Sequence, residues 1–127
     1  MGIFNSIFGK GGNESKTDFP WNELNSIEQL DTIAAQSSSE TVAIFKHSTS
    51  CGISAMVKRS FENESNAESG VKLYYLDLLA NRPISNAVAE KFMVVHQSPQ
   101  LIVLKNGEVV AEASHGAIND VILEQFA

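Results

Sequence analysis

Segments with apolar residues at helical spacing alternate along the chain with short segments that are almost continuously apolar. Helical spacing begins at the capping-box pattern Ser26-Ile-Glu-Gln29, in which the serine hydroxyl and the glutamine side chain can satisfy free backbone N–H groups. The pattern predicts a helix to about Gln36. The β-branched and apolar segment 41–46 (TVAIFK) predicts a buried strand, which the polar turn 47–50 follows.

Helical spacing resumes directly after Cys51, so the cysteine lies between a predicted strand and the first turn of a predicted helix. The apolar positions that form the core face of this helix are Ile53, Met56, Val57 and Phe61. The next segment, 71–79 (VKLYYLDLL), is typical of a central strand covered on both faces. Pro83 suits the first turn of a third helix. Its predicted apolar face consists of Ile84, Val88 and Phe92.

The last third of the chain predicts a hairpin and a final helix. Asn106-Gly107 strongly indicates a two-residue turn between strands 100–105 and 108–114, because both turn positions need positive φ. We predict the final helix from about Asn119 to Phe126. Its core-facing side chains would be Val121, Ile122 and Phe126.

The predicted order of elements is α, β, α, β, α, β, β, α. The first β–α–β unit makes its two strands parallel neighbours, whereas the final hairpin is antiparallel. The fold class is therefore α/β, with a four-stranded mixed sheet flanked by helices on both faces, which is the thioredoxin-like arrangement. The glycine-containing polar segment 9–18 predicts a linker. We expect residues 1–18 to form a flexible arm and linker, and residues 19–127 to form the domain.

Composition and charge exclude several classes of protein. The chain has 127 residues, of which 43% are hydrophobic, enough for one globular core, and its net charge of −6 disfavours nucleic-acid binding. Its single cysteine cannot form an intramolecular disulfide, which favours a reducing compartment. Neither a membrane-spanning apolar run nor a secretory signal is present in the sequence. We therefore expect a cytoplasmic monomer without membrane attachment.

Cys51 is the candidate nucleophile. A thiol must ionise to attack a disulfide, and the free N–H groups and dipole at a helix N-terminus favour the thiolate. The stretch between Glu40 and Glu62 has no acidic residue. Its basic residues are Lys46, Lys58 and Arg59. A local positive charge would favour the thiolate and attract an anionic thiol. A free cysteine is more often a small buried hydrophobe, but the strand–cysteine–helix placement favours function.

A second motif, 95–100 (VHQSPQ), directly precedes the hairpin. A proline at the start of a strand lacks a backbone donor and is tolerated only at an edge or a bend. A cis Ser98–Pro99 bond would form such a bend, although the sequence does not reveal the isomer. In this order after the cysteine, the motif matches the cis-proline loop of thioredoxin-like proteins, which lies beside the active cysteine and pairs with an extended target.

The three histidines have different positions relative to these motifs. His47 lies four residues before Cys51 and could either assist the thiolate or simply end the strand. His115 follows the hairpin and is a candidate for contacting a small thiol. His96 is more often structural in such a position. One cysteine and three scattered histidines lack zinc-ligand spacing, so we predict no metal site.

Three stretches resemble the monothiol bacilliredoxins, which are bacillithiol-system redox proteins also called YtxJ-like general stress proteins. They are 45–54 (FKHSTSCGIS), 75–79 (YLDLL) with Arg82, and 96–100 (HQSPQ) through 114–116 (SHG). The resemblance extends from about Trp21 to Ala127. It implies a thioredoxin fold, a role in the stress response and the removal of bacillithiol from mixed disulfides with proteins. Family members commonly have proline after the cysteine, where this chain has Gly52.

The resemblance also implies a mechanism. The Cys51 thiolate would attack a bacillithiolated protein, and a second bacillithiol would release the adduct as a symmetric disulfide for recycling by a flavoprotein disulfide reductase. Bacillithiol is then a cosubstrate, and no bound cofactor is expected. Ser54 replaces the resolving cysteine of dithiol relatives and can only hydrogen-bond. The residues predicted to support the thiolate or bind the thiol are Lys46, His47, Ser50, Gly52, Ser54, Ser98, Pro99 and His115.

Two other functions remain open from the sequence. Cys-Gly-Ile-Ser at 51–54 differs by one residue from the Cys-Gly-Phe-Ser site of monothiol glutaredoxins, which share an iron–sulfur cluster between two subunits with help from glutathione. Segment 115–117 (HGA), however, does not match their Gly-Gly-Asp-type thiol-binding turn. The third possibility is a non-enzymatic stress or adaptor module in which Cys51 is only a modification site.

Overall fold

The computed structural model describes residues 19–65 and 68–127, so the predicted arm lies outside the described residues. Within them, the strands are β1 (Asn22–Glu23), β2 (Val42–His47), β3 (Lys72–Asp77), β4 (Gln100–Lys105) and β5 (Glu108–Ser114). The α-helices are α1 (Glu28–Gln36), α2 (Gly52–Glu64) and α3 (Arg82–Phe92). Two short 3-10 helices follow, at His115–Asp120 and Leu123–Gln125.

The strands form one mixed sheet in the order β1-β3-β2-β4-β5. β1, β3 and β2 are parallel, whereas β4 is antiparallel to both β2 and β5. The predicted α/β mixed sheet is confirmed, but it has a fifth strand. β1 pairs only Asn22 and Glu23 with Tyr74 and Tyr75 of β3. Two residues are too few to show an alternating pattern in the sequence.

Strand β2 separates two hydrophobic cores and is buried at every position. Val42 and Ile44 face α1 and α3, whereas Ala43 and Phe45 face α2 and the 3-10 helices. Because successive side chains of a strand point to opposite faces, both layers pack against this one strand. The prediction of helices on both faces of the sheet is therefore confirmed.

The C-terminal part confirms the predicted hairpin and corrects the predicted final helix. Asn106 and Gly107 have φ of 54° and 76°, and the flanking strands have the predicted bounds. Instead of an α-helix, two 3-10 helices bury Ile118 and Leu123, while Ile122 is 52% exposed. Residues five positions apart would lie about 140° apart on an α-helix, so one regular helix could not turn both toward the sheet.

Candidate active site

Cys51 is the N-cap residue of α2. Its backbone is extended, with φ −108° and ψ 119°, and its carbonyl accepts the Ala55 N–H at 3.1 Å. Its own N–H donates to the Ser48 carbonyl at 3.2 Å, which closes the turn between β2 and α2. The free thiol belongs to a half-buried residue, and the first turn of the helix carries no acidic side chain. Cys51 therefore lies against unpaired helix N–H groups that favour an anion.

The sheet brings the two predicted motifs to the same edge. β2 ends at His47, and its antiparallel neighbour β4 begins at Gln100, which pairs with Lys46. The Cys51 turn and the residues before Gln100 therefore leave the sheet side by side. The Ser98–Pro99 bond is cis, and the Pro99 carbonyl accepts the N–H of His115 at 3.1 Å. Topology thus gathers the cysteine, the cis-proline and His115.

Ser54 and His47 form a buried pair beneath the cysteine turn. The Ser54 Oγ lies 2.7 Å from the His47 Nδ1 and accepts the Ser48 N–H at 3.1 Å. Burial lowers the pKa of His47, and the nearby Lys58 lowers it further. A neutral imidazole can accept the Ser54 hydroxyl hydrogen at Nδ1. The Ser54 hydroxyl is thereby engaged by β2 and by the turn.

The local positive charge predicted around Cys51 is weaker than the sequence suggests. The Lys58 ammonium forms a 2.6 Å ion pair with Glu62, one turn along α2, and lies 5.1 Å from the centre of the Tyr75 ring. Trp21 donates its Nε1–H to the same carboxylate at 2.6 Å. The helix thus returns an acidic partner to this lysine, which a count of charges between Glu40 and Glu62 cannot show.

Lys46 lies on the other face of the sheet. Its side chain is fully buried, with Nζ 3.1 Å from the His96 Nδ1 and 3.4 Å from the Ser85 carbonyl of α3. Burial lowers the pKa of Lys46 to about 8. Since α2 packs against the opposite face, the structure does not group this amine with the side chains around Ser54.

The remaining predicted site residues differ in exposure. Ser50 and Gly52 are exposed, and a Cβ built on Gly52 meets nothing within 4 Å. His115 is exposed and has φ 57°. In the part of the chain that the structure describes, Ser98 Oγ is a buried oxygen without a hydrogen-bond partner. No residue within 19–65 or 68–127 thus bonds to this hydroxyl next to Pro99.

Residues 19–65 and 68–127 contain neither a helix that could span a membrane nor a group of potential metal ligands. None of their helices has the length and apolar character needed to cross a bilayer. Likewise, no three of their His, Cys, Asp or Glu side chains form a group that could hold a metal ion.

Comparison with known proteins shows which family has this arrangement. A family model described as monothiol bacilliredoxin BrxC matches residues 22–123. The chain belongs to the monothiol bacilliredoxin family. A solved structure described as a candidate oxidoreductase with a thioredoxin fold is 34% identical, with a TM-score of 0.72 over 84% of this chain and 92% of the other. Membership and fold make this single-cysteine protein a thiol–disulfide oxidoreductase of the thioredoxin class.

More distant structures show the same fold. Thioredoxin from Trypanosoma brucei brucei is 20% identical, with a TM-score of 0.66 over 84% of this chain and 88% of that one. Thioredoxin from Malassezia sympodialis is 18% identical, with a TM-score of 0.63 over 93% and 91% of the two chains. At these identities the likeness shows the thioredoxin fold alone.

The structure corrects one sequence prediction near this bacilliredoxin-family site and adds one residue to the site. Ile53 and Met56 are 58% and 57% exposed rather than buried, because the inward face of α2 consists of Ser54, Val57 and Phe61. Gln100 is fully buried and bonds to the residues before the cis-proline. The sequence signal for Gln100 is its position: it is a polar residue at the start of an otherwise apolar strand, directly after Pro99.

Proposed function

We propose that this protein removes bacillithiol from mixed disulfides with proteins, using Cys51 as the nucleophile. One observation carries the proposal: the only cysteine of the chain caps α2 at the sheet edge where the cis-Pro99 loop and His115 lie. A thiolate placed there has helix N–H groups on one side. On the other side it has backbone that an extended protein substrate can pair with.

The reaction consists of two thiol–disulfide exchanges. In the first, the Cys51 thiolate attacks the bacillithiol sulfur, the protein thiolate leaves, and Cys51 carries the bacillithiol in a mixed disulfide. In the second, a bacillithiol thiolate attacks the bacillithiol sulfur of that adduct, which releases bacillithiol disulfide and restores the Cys51 thiolate. A flavoprotein disulfide reductase would recycle the disulfide. The second exchange must be intermolecular because the Ser54 hydroxyl cannot form a disulfide.

The surrounding groups have proposed roles in binding the small thiol. The exposed Ser50 and Gly52 leave the start of α2 open to it, and the unpartnered Ser98 Oγ can donate to a bound sulfur or carboxylate. His115 is exposed beside Pro99 and can contact the carboxylates of bacillithiol. We place the reaction in the cytoplasm of a stressed cell, with the protein acting as a monomer.

Intact-mass analysis tests the proposal directly. The wild-type protein and Cys51→Ser are incubated with bacillithiol disulfide and, separately, with glutathione disulfide. We expect one bacillithiol adduct on the wild type, none on the variant, and faster modification by bacillithiol disulfide. The wild type should then release bacillithiol from a bacillithiolated protein in repeated turnovers when free bacillithiol is supplied. Equal rates with both disulfides, or no release from the protein, would contradict the assignment to bacillithiol.

A further inference from the structure

Residues 94–99, called the cis-proline loop here, connect α3 to β4 without regular secondary structure. Backbone groups in such a segment need partners from elsewhere. Val94 donates its N–H to the Ala89 carbonyl at the end of α3, and Pro99 accepts from His115. Between these two ends, hydrogen bonds come from the side chains of Gln100 and Lys46, which are paired residues of β4 and β2.

The side chain of Gln100 binds the backbone of the loop. Its Oε1 accepts the Gln97 N–H at 3.3 Å, and its Nε2 donates to the Val95 carbonyl at 3.0 Å. The same Nε2 donates to the Glu112 carboxylate of β5 at 2.8 Å. One buried amide therefore supplies the donor and the acceptor that a neighbouring strand would otherwise supply.

Lys46 binds the side chain of His96 in the loop. An ammonium has donors only, so its 3.1 Å contact with His96 requires a lone pair at Nδ1 of the imidazole. Ser85 Oγ lies 3.4 Å from the same Nδ1, and the Ser85 carbonyl lies 3.4 Å from the ammonium. His96 is thus tied to both β2 and α3, although its own side chain is exposed.

We propose that Lys46 is a positioning residue for the cis-proline loop, which it holds through His96, and that it does not act on the Cys51 thiol. The geometry supports this role because the amine makes its contacts on the α3 face, with a loop residue. The consequence for substrates rests on the proposed function, since the loop is where a bacillithiolated protein would pair. A small disulfide does not pair with the loop backbone, and it would meet the loop only at the Ser98 hydroxyl and the neighbouring His115.

The test compares Lys46→Met with Lys72→Met. Methionine keeps a long unbranched side chain but removes the charge and the donors. Lys72 is half-buried at the start of β3, at the opposite end of the sheet, and serves as the control. Three quantities are measured for each protein. They are amide hydrogen exchange of the cis-proline loop, alkylation of Cys51 by iodoacetamide as a function of pH, and KM with kcat for a bacillithiolated protein and for bacillithiol disulfide.

Lys46→Met should raise hydrogen exchange in the loop by about tenfold while the rest of the sheet keeps its protection. Its KM for the protein substrate should rise by about tenfold, with kcat within about twofold of wild type. The KM for bacillithiol disulfide should rise by less than that, because this smaller substrate contacts the loop region only at Ser98 and His115. The alkylation rate and its pH profile should match those of Lys72→Met. A slower or pH-shifted alkylation, or unchanged loop exchange, would overturn the proposal.

His96→Ala keeps the test decisive if Lys46→Met folds poorly, because the His96 side chain is exposed. It should reproduce the faster loop exchange, and adding Lys46→Met to it should change loop exchange no further. Additive effects of the two substitutions would contradict action through His96. If wild-type protein fails to release bacillithiol, the proposed function fails, whereas loop exchange and alkylation still decide the role of Lys46.

Discussion

Ser54 and Lys46 show that a polar residue close to Cys51 in sequence can be held by other groups. Ser54 stands one turn after the cysteine, but its Oγ is bonded to the His47 ring and the Ser48 N–H. Lys46 stands five residues before the cysteine, but its amine points to the opposite face of the sheet. Both side chains are fully buried, so their partners determine their contribution.

We expect Ser54→Ala to lower the free energy of unfolding by about 1–3 kcal/mol, because it leaves the buried His47 ring and the half-buried Ser48 N–H without their partner. Urea denaturation measures the change. Ser60→Ala is the matched control, since Ser60 is a half-buried serine further along the same helix. That control should stay within about 0.5 kcal/mol of wild type. Equal small effects of the two substitutions would show that the Ser54 hydroxyl stabilises nothing.

Lys46 makes stability depend on pH. Its pKa is about 8 in the folded protein and 10.5 in its unperturbed state. Between these pH values the unfolded chain binds more protons at this residue than the folded protein does, so folding becomes more favourable as the pH rises. The gain in the free energy of unfolding that Lys46 contributes is complete above pH 10.5 and is lost as the pH falls through about 8.

Wild type should therefore gain about 1–3 kcal/mol relative to Lys46→Met across this window. The measurement is urea unfolding of both proteins at a series of pH values from neutral to alkaline. Lys72→Met should keep the wild-type gain because its substitution leaves Lys46 intact. Parallel stability curves for wild type and Lys46→Met would mean that the buried amine keeps its ordinary pKa.

At the scale of elements, the start of α2 accommodates the departure from the common family motif. Gly52 is the first residue of the helix, where proline is favoured because its missing N–H has no partner within the helix. Cys51 already has the extended backbone that a residue before proline adopts. The space around a Gly52 Cβ is empty. The turn is therefore compatible with proline as well as with glycine at position 52.

Gly52→Pro should raise the free energy of unfolding by about 0.4–1 kcal/mol, because it reduces the freedom of the unfolded chain without straining the fold. Thermal and urea unfolding measure this gain. Gly52→Ala is the companion variant, since it also limits the unfolded chain but keeps the N–H beside the cysteine. A destabilised Gly52→Pro alongside a stable Gly52→Ala would show that this N–H has a required partner.

At the scale of the whole molecule, the described fold begins with aromatic packing. Phe19 is buried, and its ring lies 5.0 Å from Trp21 and 5.8 Å from Phe61. Trp21 also contacts Phe45 with ring centres 5.6 Å apart, so this segment joins α2 to the central strand. These contacts make Phe19 and Trp21 part of the described fold, and the domain boundary before residue 19 stays a prediction.

Removal of residues 1–18 should leave the free energy of unfolding within about 0.5 kcal/mol of the full chain. Removal of residues 1–23 also deletes Phe19, Trp21 and β1, and should cost more than about 3 kcal/mol because buried aromatic side chains are lost. Circular dichroism and urea unfolding compare the three proteins. If removal of residues 1–18 already lowers the free energy of unfolding strongly, the boundary lies further toward the N-terminus.

Most of the architecture followed from local patterns, and the errors have physical causes. The hairpin was predicted residue by residue because Asn106-Gly107 determines its own backbone. The prediction of a final α-helix is wrong because the burial of both Ile118 and Leu123 outweighs the helical spacing of the apolar residues. The prediction that Ile53 and Met56 face the core is wrong because spacing alone does not fix which side of an apolar arc faces inward.

Residue types and local spacing are enough to predict the α/β order, the candidate nucleophile and its monothiol chemistry. Each of these depends on residue type and on neighbours a few positions away, such as the helix that starts at Cys51. The folded structure is needed to show that Ser54 bonds to His47, that Lys46 contacts His96, and that Ser98–Pro99 is cis. Charge and hydrogen-bond partners depend on distances through space, and the sheet sets those distances by pairing β2 with β4 across more than fifty residues of chain.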